Sequence, residues 1–424
     1  MREFLGNSIS KHRLIFSARG LFFAGLIVCC LSGCAPQQSG PPATRQGAIV
    51  DTLHGSAIPD PYRWLEDQNS PETREWIGLQ NAYMRSIIDS LPGRENLTRR
   101  LGQLLKTDES TVPTERDGRY FHAKRLAGQD QYIIYMREGP DGEDRILVDP
   151  HPLSPDHTVS VSLWDVTDDG KIMAYIVRQG GADEEAVHLL NVENGEHLPD
   201  SLPAAVYFGF AMTDNLSGYY YTKRTPAGPR AYYHALGTDH AADRLIFGAE
   251  FSEDKIIDCD ISENGRWLIL NVYHGSSGKK IDIYFQDLKT GGSITPLVND
   301  IEARFRGMIA DNRIFLRTDW EAPKSRILVA DLTKPARENW QEIIPAGENA
   351  MEYSTVIGGK VIVTYLENVQ SKIKVYEPDG TFIRDVELPA IGAVGRIYGR
   401  WGGNEAFFSF ESFHVPETII RYDL

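Results

Sequence analysis

A chain of 424 residues is longer than one ordinary hydrophobic core supports, and calls for several cores or a repeat architecture. Hydrophobic residues make up 42% and charged residues 24%, the proportions of a folded, soluble protein. The formal net charge is −15, and without a dense Lys/Arg cluster there is no basic face for nucleic acid, so no nucleic-acid partner is expected.

Residues 1–34 read as an export segment. Lys11, Arg13 and Arg19 precede an apolar run at residues 21–34, LFFAGLIVCCLSGC, too short to span a bilayer stably. The run ends in Leu31-Ser32-Gly33-Cys34, which resembles the bacterial lipobox. That resemblance implies cleavage before Cys34, a lipid on its thiol, and a protein anchored to the bacterial cell envelope, facing the periplasm. Cys29 and Cys30 would leave with the signal, so Cys259 would be the lone free thiol and no disulfide would form within the mature chain. In IIDCDIS, Cys259 alternates with acids and reads as a buried strand thiol.

Residues 35–48, rich in Pro, Gln, Ser and Gly, form a linker. Residues 49–110 then form a short helical segment. Ser70 as N-cap and Pro71 at the first position start a helix. Trp76, Leu79, Tyr83 and Ile87 recur along it at three- and four-residue steps, so one face expects burial. A second short helix is expected over residues 97–105.

Residues 111–424 have an all-β texture. Short alternating runs follow tight turns whose second residues are 118, 170, 218, 265, 312, 359 and 403, a period of about 47. Asp141-Gly142, Asn194-Gly195, Gly291-Gly292 and Asp379-Gly380 supply second turns within the units. Four antiparallel strands per unit make a propeller blade, and seven units make a seven-bladed β-propeller. Trp164-Asp165 stands before a hairpin turn, away from the blade-ending position of the commonest propeller signature.

Catalytic and metal motifs are sparse. HGSSGKK (residues 274–280) and HGSAIPD (residues 54–60) both fall short of the G-x-S-x-G elbow that holds a hydrolase serine, and both read as turns. Asp149, His151, Asp156 and His157 are bunched but interleaved with prolines, a poor metal cage. No phosphate-binding glycine loop is present. No catalytic residue, metal or cofactor is assigned.

Residues 54–81, with Asp60-Pro61-Tyr62-Arg63-Trp64-Leu65-Glu66-Asp67 as their most specific part, resemble the entry segment of prolyl oligopeptidases. Residues 146–177, 260–270 and the closing FFSFESFHVPETIIRYDL carry the resemblance through the chain. In that family a seven-bladed propeller lids an α/β-hydrolase domain with a Ser-Asp-His triad, the hydrolase following the propeller. The resemblance therefore implies the substrate-gating part of a serine peptidase for short proline-containing peptides, truncated before its catalytic domain and inactive alone. Its partners would be short peptides and a missing or separate hydrolase domain. It also places Phe208 at a substrate-touching aromatic position, and Tyr273 and Ser276 where the family usually has a basic residue and cysteine. A stand-alone propeller lipoprotein binding a peptide or protein, or one half of a split peptidase, fits the same residues.

Overall fold

The computed structural model describes residues 40–424; the export segment and Cys34 lie outside them. The chain divides into two compact units at residues 101 and 102.

The first unit opens with a hairpin of β1 (Val50–Leu53) and β2 (Ser56–Pro59). His54 and Gly55 between them both have positive φ, the backbone of a two-residue primed turn that matches strand twist. HGSAIPD thus forms a turn and the second strand of a small hairpin, a strand the composition did not announce. Arg63 ties the entry segment together through ion pairs to Asp60 at 2.5 Å and to Asp51. Helix α1 (Pro71–Ile88) starts at the expected cap, where Ser70 Oγ accepts from the Thr73 N–H at 3.2 Å. Helix α2 (Arg94–Leu105) begins three residues before the expected start. Trp76 and Tyr83 are half-buried, but Leu79 and Ile87 are exposed, as are Leu97, Leu101, Leu104 and Leu105 of α2. Both helices therefore carry uncovered apolar side chains.

The second unit contains seven antiparallel sheets in chain order, the blades of a β-propeller: residues 109–148, 159–205, 207–247, 255–298, 305–344, 350–386 and 393–423. Blades 2 to 6 each have four strands in simple up-and-down order. In blade 1 two short segments, Glu109–Ser110 and Thr114–Arg116, share the first-strand place against Arg119–Arg125. Blade 7 likewise splits its first strand into Ala393–Val394 and Tyr398–Gly399. Neighbouring blades meet in turn around a ring, first strand against first strand between blades 2 and 3, 3 and 4, 5 and 6, and 6 and 7, with blade 7 reaching blade 1. All seven turns picked from the sequence join a first to a second strand, so they gather at one end of the propeller. Asp117 and Gly118 show why these residue types recur: both have positive φ, which asparagine, aspartate and glycine tolerate best.

Each blade is apolar on both faces because it is sandwiched between two others. Phe121, Met173 and Tyr175 join blades 1 and 2; Trp267, Phe305 and Leu316 join blades 4 and 5; Ile362, Phe408 and Phe410 join blades 6 and 7. Cys259 is buried between blades 3 and 4, as its strand position predicts. Blades 7 and 1 keep separate strands at their seam. There the Tyr120 ring meets Phe407 edge-on at 6.0 Å, and its hydroxyl donates to Glu405 Oε2 at 2.8 Å.

Candidate functional site: the propeller channel

The ring of first strands encloses a channel whose two mouths differ. At the end carrying the first-to-second-strand turns, residues 400–403 of blade 7 reach across to other blades. Arg400 Nη2 pairs with Asp168 of blade 2 at 2.7 Å, and Arg400 Nε lies 3.6 Å from Glu263 next to blade 4. Glu263 also accepts the Trp401 N–H at 2.6 Å, and the Trp401 indole donates to Asp311 of blade 5 at 3.1 Å. A segment that touches blades 2, 4 and 5 from blade 7 straps that mouth.

Acids line the wall beyond the strap. In the strand Lys255–Ile261, Asp258 and Asp260 fall on the face opposite Cys259, because side chains alternate along a strand. Asp165, on the first strand of blade 2 (Val159–Val166), belongs to the same set. Burial pushes the Asp165 and Asp258 carboxyls up to about 6. Asp260 reaches about 7, through burial first and then repulsion from Asp258 and Asp165. Asp260 is accessible to solvent, so enclosure by the ring of blades, more than direct packing, is what raises it.

At the opposite end the channel opens into a cavity of about 770 Å³ on blades 5 to 7. Arg304, Arg306, Arg317, Lys324 and Arg396 line it, with Asp319 and Glu352. Arg306 and Arg317 are directly opposed on adjacent strands. Burial pushes the Arg317 guanidinium down to about 10, with Arg306, Arg304 and Arg396 adding repulsion. Sequence reading missed this group, because 304, 306, 317 and 396 look unrelated until strand register and the ring bring them together.

The sequence-picked residues lie at this open end. Phe208 is the extra residue of a bulge at the start of Tyr207–Met212, half-buried and outside the apolar clusters flanking blade 3. The bulge lets blades 3 and 4 approach closely: a Cβ on Gly209 would stand 2.5 Å from the Cys259 nitrogen. Tyr273, near the end of Trp267–His274, lies beneath the Arg306 guanidinium, 5.4 Å from ring centre to Cζ, and its hydroxyl accepts from Arg306 at 3.2 Å. A basic group, that of Arg306, thus stands beside Tyr273. Ser276 is exposed in the turn that follows, within HGSSGKK.

Of the residues read as a poor metal cage, the His151 and His157 rings meet edge-on at 5.1 Å, but their nitrogens are directed to separate carboxylates. His151 pairs with Asp149 and His157 with Asp130, each at 2.7 Å, while Asp156 bonds Thr158. Among the described residues, His234, His240 and Asp243 do converge. Their ring nitrogens already face Asp243, Asp200 and the Ser201 carbonyl, so they form a strut between blades 2 and 3.

A family model for the prolyl oligopeptidase N-terminal β-propeller domain matches residues 41–424. Prolyl endopeptidase of Elizabethkingia meningoseptica is 24% identical over 395 residues, covering 90% of this chain and 55% of the relative. Prolyl oligopeptidase A of Amanita bisporigera is 23% identical over 432 residues, covering 90% and 56%. A solved structure from work on two prolyl endopeptidases and their interdomain dynamics matches with a TM-score of 0.83 and 31% identity, covering 90% of this chain and 58% of that one. Prolyl oligopeptidase B from Galerina marginata, bound to a 35-mer hydrolysis and macrocyclization substrate, matches in fold with a TM-score of 0.78 at 22% identity, covering 91% and 58%. The chain spans little more than half the length of these relatives, and no α/β-hydrolase fold is found among the described residues. The chain belongs to the prolyl oligopeptidase family, and residues 41–424 correspond to that family's N-terminal β-propeller domain.

Proposed function

We propose that this chain is the substrate-gating propeller of a serine oligopeptidase for short proline-containing peptides, whose hydrolytic chemistry belongs to an α/β-hydrolase domain. The carrying observation is the channel, strapped at one mouth by Arg400 and Trp401 and open at the other into a cavity large enough for a peptide segment. Such a shape admits chain ends and excludes folded proteins. Uncovered Leu79, Ile87, Leu101 and Leu104 support a covering domain, since apolar helix faces normally lie against a partner. On this reading the chain alone turns over no Gly-Pro amide substrate, and a fluorophosphonate labels none of its serines. Stoichiometric labelling of any serine would overturn it.

We further infer that Cys34 carries a lipid that holds the protein at the bacterial cell envelope. The support is the order of basic residues, apolar run and Leu-Ser-Gly-Cys, followed by a polar linker.

A further inference from the structure

We propose that the open cavity on blades 5 to 7 is a carboxylate-binding site, in which Arg306, Arg317 and Arg396 hold the C-terminal carboxylate or an acidic side chain of an entering peptide. The inference rests on the reading of the channel as a peptide path and adds a substrate class to it.

Charge placement is the first argument. Five basic and two acidic side chains line the cavity of a protein whose net charge is −15. Register is the second. Arg306 and Arg317 sit directly across from each other on neighbouring strands of blade 5, where like charges destabilise a sheet. Arg396, from the break in the first strand of blade 7, adds a third guanidinium to the same cavity.

The guanidinia of the cavity are unequally neutralised by the protein itself. Arg304 is neutralised by Asp319 at 2.7 Å. The other three guanidinia have no carboxylate partner among the described residues. Arg306 contacts the Tyr273 ring and hydroxyl and acts on Asp258 only through its charge, and Arg396 lies 5.7 Å from the Tyr353 ring. Arg317 donates to the Met351 and Glu352 carbonyls. Planar guanidinia with free N–H edges match a carboxylate in two-pronged geometry. An incoming carboxylate would relieve the mutual repulsion of Arg306, Arg317 and Arg396, which adds to burial in lowering the Arg317 pKa.

The test has two arms on the full chain at low ionic strength, with wild type and the Arg306→Gln/Arg396→Gln double variant. Arg178→Gln, on blade 2, serves as charge control. In the first arm glutarate is titrated by calorimetry. Wild type and the control should bind it, and the double variant about tenfold or more weaker, as expected for losing charge-assisted hydrogen bonds. Equal binding by all three overturns the site, and Arg317→Gln, assayed alongside with its circular dichroism, guards against a folding artefact. In the second arm a proline-containing hexapeptide is compared as free acid and as C-terminal amide, with a glutamate-bearing amide to separate terminal from side-chain carboxylate. Tighter binding of either acid form supports the proposal, and equal binding of all three peptides overturns the carboxylate assignment while leaving the peptide path standing. Glutarate binding with no peptide binding overturns the peptide path instead.

Discussion

Asp258→Asn should stabilise the propeller at neutral pH and leave it unchanged near pH 4. The Asp258 carboxyl lies on the channel wall, close enough to blade 3 that a Cβ on Gly209 would stand 2.6 Å from its Oδ1. Burial raises its pKa from 3.8 to about 6, against the Cys259 N–H and the Arg306 charge, which favour ionisation. A carboxyl raised in the folded state binds its proton more tightly there than in the unfolded chain. Stability is therefore fully present below about pH 4, falls as pH rises toward 6, and stays lowered above. Two units at about 1.36 kcal/mol each cap the loss near ~3 kcal/mol. Asp258 keeps partial solvent access, which reduces the expected gain from asparagine to about 1–2 kcal/mol. Asparagine keeps an acceptor for the Cys259 N–H and removes the charge, which also relieves neighbouring Asp260. At about 2.1 cal/mol/K of unfolding entropy per residue, the gain corresponds to a Tm rise of roughly 1–3 °C. Scanning calorimetry of wild type and variant at pH 4.2 and pH 7.5 reads it directly. A gain of equal size at both pH values, or none at pH 7.5, would refute the electrostatic account.

Two further outcomes are expected. Phe305→Ala removes a fully buried ring packed between blades 4 and 5 near Trp320 and Trp340, at a cost of about 3–5 kcal/mol in urea unfolding; a loss below about 1 kcal/mol would mean the blades collapse around the gap. Cys34→Ala should shift the protein from the membrane pellet to a soluble or unprocessed form, and unchanged partitioning would rule the lipid out.

The seven blades were legible because each turn is a local event. Asp117-Gly118 and Gly358-Gly359 need positive φ, so their residue types mark the hairpins wherever they occur, and their spacing repeats because every blade is the same size. The Ser70-Pro71 helix start was legible for the same reason: the cap and its Thr73 partner are three residues apart. Alternation likewise placed Cys259 inside. The arginine cavity was not legible. Arg306 and Arg317 are opposed only through strand register, and Arg396 joins them only because the blades curve about a common axis, which turns the first strand of blade 7 toward that of blade 5 past blade 6. The strap is of the same kind, with Arg400 and Asp168 separated by 232 residues. Local geometry is encoded in neighbouring residues and can be read from them; charge clusters across a ring depend on closure, which no short stretch of chain contains.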